Sequence, residues 1–320
     1  MLVTVWDWPA VFVGNALLAA LGVSGTLGWV PALRGQRLGA FDWLGAVLSV
    51  TAVGCLVFVV IEGPRHPFSA SSLLALVGTV VLSVAFVAHE ARVPDPLLPL
   101  HLFRDRHRVA GTGTLLLAAL GFNGIFFVGA LLLQLGWDES GLMAGLLLAP
   151  IGVVEVVVAN RAIATARRWG VENTITVGLV LMAAGYVGMG FAPVGDRLAF
   201  IVAGVVAGIG NGLTIPLSVD RVMGTVAPEF AGSAAGVNDM AIELGASAGI
   251  GLLGTVQAVW FEARRPPEST VALADIVDDL DRAAFRSASA AAFVLAASIA
   301  ALAIPVARST RRRQPARPST

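Results

Sequence analysis

The chain has 320 residues, of which 57% are hydrophobic and 13% charged, with a mean hydropathy of +0.82 and 21 basic side chains balancing 21 acidic ones. A water-soluble domain carries roughly twice that share of charge, so the composition excludes an ordinary soluble fold and reads as a protein that crosses a membrane many times. The single cysteine, Cys55, excludes an intrachain disulfide, and every basic residue is Arg.

In chain order, nine apolar stretches are long enough to cross a ~30 Å hydrocarbon layer at ~1.5 Å per residue, at roughly 9–30, 43–61, 70–88, 109–135, 141–159, 174–194, 198–222, 236–260 and 284–306. Lipid offers no partner to backbone N–H and C=O groups, so these stretches are expected to be helices, and their length and lack of alternation exclude strands. The expected class is all-α, a polytopic membrane protein of about nine transmembrane helices. The opening run MLVTVWDWPAVF lacks the basic start of a secretory signal and reads as the entry to the first span.

Arginine placement sets the expected orientation. The segments after the first, third, fifth, seventh and ninth spans hold fifteen of the 21 arginines, including Arg34, Arg37, Arg104, Arg106, Arg108, Arg161, Arg167, Arg168 and Arg221. Most of the remaining six lie in or beside 261–283, where acids outnumber them. The C-terminus is therefore expected in the cytoplasm and the N-terminus outside. The tail ARSTRRRQPARPST is basic and expected to be disordered, an ordinary positive-inside anchor or a contact for anionic headgroups.

Ionisable and polar residues inside the spans are the candidates for function, because an ionised carboxylate that faces lipid costs on the order of 2.5–3.5 kcal/mol. Glu155 lies in the fifth span, within about one turn of its cytoplasmic end on these boundaries. Proton coupling, snorkelling to the interface and pairing with Arg161 are open readings there. Asn211, in GIGNGLTIP, falls near mid-membrane among glycines and ahead of Pro216. Interrupted helices of this kind often hold substrate groups, although a bond to a neighbouring helix is an equal reading. Asn123 and Gln134 of the fourth span are similar candidates for a cavity lining. For Asp220–Arg221 an ion pair is the expected reading.

The eighth span carries two acids. On a 100° wheel Asp239 and Glu243 lie about 40° apart, and Gln257 returns to the bearing of Asp239. Gly245 and Gly249 sit well round the helix, at the spacing that lets two helices approach closely. Asp239 is expected in the first turn, as a partner of the positive helix end or a neighbour in proton handling. Glu243, about one turn deeper, is expected to face the bundle interior or a wet cavity and to handle protons or cations. The four histidines, His66, His89, His101 and His107, have no metal-ligand spacing, and no nucleophile motif, phosphate loop or nucleic-acid module is present in the sequence. An enzyme, a cofactor and a nucleic-acid partner are not expected.

Four stretches carry a resemblance in the right order and spacing. DPLLPLHLFRDRHRVAGTG begins at Asp95, QLGWDESGLMAGLLLAP at Gln134, GIGNGLTIP at Gly208, and APEFAGSAAGVND with ELGASAGIGLLGTV spans Ala227 to Val256. Together they resemble the fourteen-span drug:proton antiporters of the major facilitator superfamily. The resemblance implies the last nine spans of that arrangement. Residues 1–33 would hold the last helix of an N-terminal half, 34–94 two inserted helices, 95–108 a cytoplasmic connection, 109–307 a C-terminal six-helix half and 308–320 the tail, with five N-terminal spans missing. The second-half basic loop, NRAIATARRWG, lacks the usual acid, and Ile242 stands where family members often have Arg. What the resemblance implies is efflux of amphipathic or cationic small molecules across the plasma membrane in exchange for protons. Glu243 and Asp239 would be the proton-linked acids, and Asn211, Asn123, Gln134 and Gln257 would line the cavity. The chain alone is expected not to transport. The rival expectation is a non-transporting membrane fragment or interaction subunit that needs a separate N-terminal half.

Overall fold

The computed structural model describes residues 9–29, 42–63, 69–94, 96–98, 100–192, 194–224, 226, 230–264 and 279–309. Arg34, Arg37, Arg65, Arg265, Asp95, the Pro228–Glu229 turn, most of the acidic 261–283 segment and the tail from residue 310 lie outside them, so the arginine count behind the orientation rests on the sequence. Among the described residues there is no strand, and nine helices are long and apolar enough to cross a membrane.

The chain divides into two compact units, residues 1–39 and 40–320. Among its described residues the first holds α1 (Pro9–Trp29), a helix without a charged side chain. The second holds α2 (Trp43–Glu62), α3 (Ala70–Glu90), a 3-10 turn (Leu100–Arg104), α4 (Arg106–Leu131), α5 (Gly141–Trp169), α6 (Val171–Gly190), α7 (Arg197–Met223), α8 (Ala231–Glu262) and α9 (Asp279–Arg308).

Short polar residues start these helices. Asp42, Ser69, Asp105, Ser140 and Asp196 each accept a hydrogen bond from a backbone N–H of the first turn, which satisfies a donor the helix itself leaves open. Gly170 alone joins α5 to α6, at φ +85°, a conformation that favours a residue without a Cβ.

Helices α4 to α9 form one bundle. α4 is its axis and packs against α8, α9 and α7; α7 also packs against α6 and α5, and α9 against α6 and α8. Hydrophobic burial does not drive helices together in lipid, so close contact must do it. Two seams show how. A Cβ at Gly249 of α8 would meet the Leu120 carbonyl group of α4, with its carbon at 2.8 Å, and one at Gly245 would meet the Leu116 carbonyl oxygen. The small-residue spacing read in the sequence is therefore the face on which α8 meets α4.

Ion pairs tie the bundle's ends. At one end Arg197 of α7 meets Glu139 at 2.7 Å, Arg282 of α9 meets Asp138 at 3.1 Å, and Arg286 donates to the Gly136 carbonyl at 3.2 Å. At the other, Arg221 of α7 donates to the Ala307 carbonyl of α9 at 2.9 Å and lies 3.8 Å from Glu172 of α6. The pair expected around Asp220–Arg221 is thus made between helices, by Arg221 with Glu172.

α2 and α3 form a hairpin, and α2 also rests on α8. Its ends are joined by Asp42, which caps α2 through the Gly45 N–H at 2.9 Å and meets His89 Nε2 of α3, also at 2.9 Å. The Gly45 N–H first, and His89 beside it, hold the Asp42 carboxyl below the ordinary carboxylate value. Next to it, buried Glu90 accepts from the Leu98 N–H at 2.9 Å and so anchors the connection toward α4.

Two helices run further than the hydropathy suggested. α5 continues ten residues past 159 to Trp169, and α8 begins at Ala231 rather than 236. Small residues extend α8 and small and basic residues extend α5, where Ala and Arg are good helix formers. Asp239 is therefore the ninth residue of α8, outside the first turn, and the helix-end reading of its charge does not hold.

Candidate functional site

The seam between α5 and α7 is built from glycine. Gly204, Gly208 and Gly212 recur at four-residue spacing on one side of α7. A Cβ at Gly208 would lie 2.6 Å from the Ile151 carbonyl oxygen, and one at Gly212 would lie 2.6 Å from that of Glu155. Two backbones in direct contact bring their neighbouring side chains within short reach.

The neighbours are Glu155 and Asn211. Asn211 Nδ2 donates to Glu155 Oε1 at 2.8 Å. Glu155 is the fifteenth of the 29 residues of α5, and Asn211 the fifteenth of the 27 of α7, so the bond sits about 20 Å from the ends of both helices. In the longer α5 Glu155 is thus at the middle of its helix, and its partner is Asn211, not Arg161. Asn211 is buried, and its Oδ1 has no hydrogen-bond partner among the described residues. Glu155 is only partly buried. A carboxyl group with one side bonded and the other open is a group that can take up and release a proton.

Each helix continues through a proline. Pro150 in α5 and Pro216 in α7 lack an N–H, which frees the carbonyls of Leu146 and Gly212 from the helical ladder. α4 ends in a π-turn over Leu132–Gly136, a distortion frequent at functional sites. Gln134 lies in that turn, exposed, with Nε2 donating to the Ala130 carbonyl at 3.1 Å. Asn123, half-buried, donates to the Ala119 carbonyl at 3.0 Å. The two are eleven residues apart, about 20° on the wheel, and with exposed Phe127 they mark the open side of α4.

Other candidates lie elsewhere. Asp239 and Glu243 are exposed, with Met240, on the side of α8 away from its α4 contact, and neither hydrogen-bonds to another described residue. Gln257 is buried and donates to Ser289 Oγ of α9 at 2.7 Å, a bond between two helices. Trp260 lies under the Arg264 guanidinium, 4.4 Å from the ring centroid, and Trp137 meets Phe200 edge-on at 5.5 Å.

The sequence reading missed Tyr186. It is the only tyrosine in the chain, fully buried in α6, and its hydroxyl has no hydrogen-bond partner among the described residues. A lone phenol inside an apolar span was the available signal. Among the described residues no group of three His, Cys, Asp or Glu side chains comes together as a metal site.

Comparison with known proteins places the geometry in context. Residues 1–250 match the pattern described as Major Facilitator Superfamily. The chain is 27% identical to the multidrug resistance protein Stp of Mycobacterium tuberculosis, over 87% of this chain and 52% of that protein. It is 28% identical to the tetracenomycin C resistance and export protein of Streptomyces glaucescens, over 96% of this chain and 64% of the relative. With the multidrug efflux pump LfrA of Mycolicibacterium smegmatis the identity is 29%, over 96% and 66%. The chain thus spans between about half and two thirds of the length of these relatives.

Proposed function

Because the chain belongs to the major facilitator superfamily, we propose that it serves in the export of amphipathic or cationic small molecules across the plasma membrane, in exchange for protons, with its C-terminus in the cytoplasm. The names of the relatives, a multidrug resistance protein, an antibiotic exporter and a multidrug efflux pump, support the transport class. The bundle α4–α9 is one wall of the pathway. A second bundle, on the same or another polypeptide, supplies the other, and the two rock about a site near the midplane.

The observation that carries the proton step is the bond between Glu155 and Asn211, midway along two proline-containing helices. Ionised, Glu155 accepts from Asn211 Nδ2. Protonated, its O–H can donate to Asn211 Oδ1, now without a partner, once the amide turns over. The pair remains bonded in both states, so the acid can cycle without losing its hydrogen bond to Asn211. Asn211, Asn123 and Gln134 offer polar groups to a substrate on this wall. Glu243 and Asp239 are the acids of the outer face of α8, where a covering bundle would turn them toward the pathway.

Dye efflux from a pump-deficient host expressing the chain together with an N-terminal bundle, followed from acidic to alkaline pH, tests the proposal. Glu155→Gln keeps the shape of the pair but cannot titrate, and is expected to remove the pH dependence of efflux. Glu243→Gln in parallel assigns the step to one acid or the other. No efflux above an empty vector from that assembly would remove the transport reading, and unchanged pH dependence in both variants would remove the proton step from both acids.

A further inference from the structure

Where α4 begins and α9 ends, the two helices part. The gap is a crevice of about 560 Å³ lined by Arg106, Val109 and Ala110 from α4 and Pro305, Val306 and Ser309 from the end of α9. Its inner end closes where Gly113 meets Val306, since a Cβ at Gly113 would lie 3.2 Å from Val306 Cγ1. We infer that this crevice binds an anionic phospholipid, with its phosphate at Arg106 and the start of an acyl chain along Val109, Ala110 and Val306.

The lining is divided as a lipid is divided. Arg106 and Ser309 are exposed at the helix ends, where a membrane's headgroups lie, and four apolar side chains form the walls that run into the span. Val109 is 46% exposed, an apolar surface that this bundle leaves uncovered. Arg106 makes no ion pair with another described residue. The neighbouring charges are otherwise engaged. Asp105 caps the His107 N–H at 2.9 Å and lies 3.5 Å from Arg108, and Arg308 donates to Thr176 Oγ1 of α6 at 3.2 Å. A guanidinium without a carboxylate partner, beside an apolar slot at membrane depth, is complementary to a phosphodiester that carries acyl chains. A free phosphate would use the Arg and leave the slot empty, so the shape favours the lipid.

The test uses the whole purified chain in detergent, titrated with phosphatidylglycerol or phosphatidylcholine, with bound lipid counted by native mass spectrometry. Phosphatidylglycerol is expected to bind more tightly. Arg106→Gln is expected to weaken it about tenfold, the loss of one charge-assisted contact. Val109→Trp fills the slot without changing charge and is expected to weaken it similarly. Arg167→Gln, at the exposed end of α5, should leave it unchanged. Circular dichroism and melting temperature confirm that each variant is folded, and the slot variant keeps the inference testable if Arg106→Gln is not. Equal binding of the two lipids, full binding in both crevice variants, an equal loss in Arg167→Gln, or displacement of the lipid by inorganic phosphate would each overturn it.

Discussion

Replacing Gly249 by Ala tests the seam on which the bundle is built. The new Cβ would fall 2.8 Å from the Leu120 carbonyl carbon and 3.0 Å from its Cα, with the carbonyl oxygen closer still. Ordinary contact for such atoms is about 3.5–4.0 Å, and the obstacle is backbone, so α8 must retreat from α4 by about 1 Å. A gap of that size forfeits a quarter to a half of the dispersion energy along the seam. α4 and α8 form the most extensive helix pair among the described residues. Overpacking of this kind costs about 1–3 kcal/mol, and the better helix propensity of Ala returns about 0.5–1 kcal/mol. The expected net loss is about 1–2 kcal/mol, read as a lower melting temperature by circular dichroism in detergent. Gly236 is the control, because nothing lies within 4 Å of a Cβ placed there. Gly236→Ala is expected to be neutral or to raise the melting temperature slightly. If Gly249→Ala melts with the wild type, or Gly236→Ala loses as much, the close-contact argument is wrong.

Three further outcomes are expected. In a double-mutant cycle of Gln257→Leu and Ser289→Ala, the 2.7 Å bond between α8 and α9 should appear as a coupling of about 0.6 kcal/mol, the average for hydrogen bonds between membrane helices, and additivity would show that the bond contributes nothing. Arg221→Ala should cost about 2–3 kcal/mol in a thermal melt, because a side chain only 8% exposed leaves the Ala307 carbonyl and Glu172 behind, whereas Arg197→Ala, at an exposed pair, should cost less than about 1 kcal/mol. The Asp42 carboxyl is held low in the folded protein, so its contribution is full above the ordinary carboxylate value and is lost as pH falls through the lowered one. The melting temperature of the wild type should therefore fall with acid more steeply than that of Asp42→Asn, and equal slopes would show that the link between α2 and α3 does not depend on that charge.

Much of the fold was legible because lipid imposes a local rule. A backbone that must satisfy its own hydrogen bonds is helical wherever the chain stays apolar long enough, and this does not depend on what the helix packs against. The nine helices, their order and the contact face at Gly245 and Gly249 follow from that rule and from residue size. Helix ends were less legible. Hydropathy marks where a span becomes polar, while α5 and α8 continue as helices through Asn160–Trp169 and Ala231–Ala235. That difference moved Asp239 out of the first turn and Glu155 to the middle of its helix.

The sequence by itself determined that this chain is an all-α membrane protein, which residues within the spans are polar, and a resemblance that the match over residues 1–250 bears out. Only the tertiary structure decided which of those residues meet. Glu155 and Asn211 are 56 residues apart in the chain, and Gln257 and Ser289 are 32 apart. Each pair forms because a seam of small side chains, or a shared helix face, sets two axes close together. The physical reason is range. Helix formation is settled within four residues by hydrogen bonds along one segment, whereas a side-chain pair depends on the rotation and crossing of two helices, which is fixed by every contact along both.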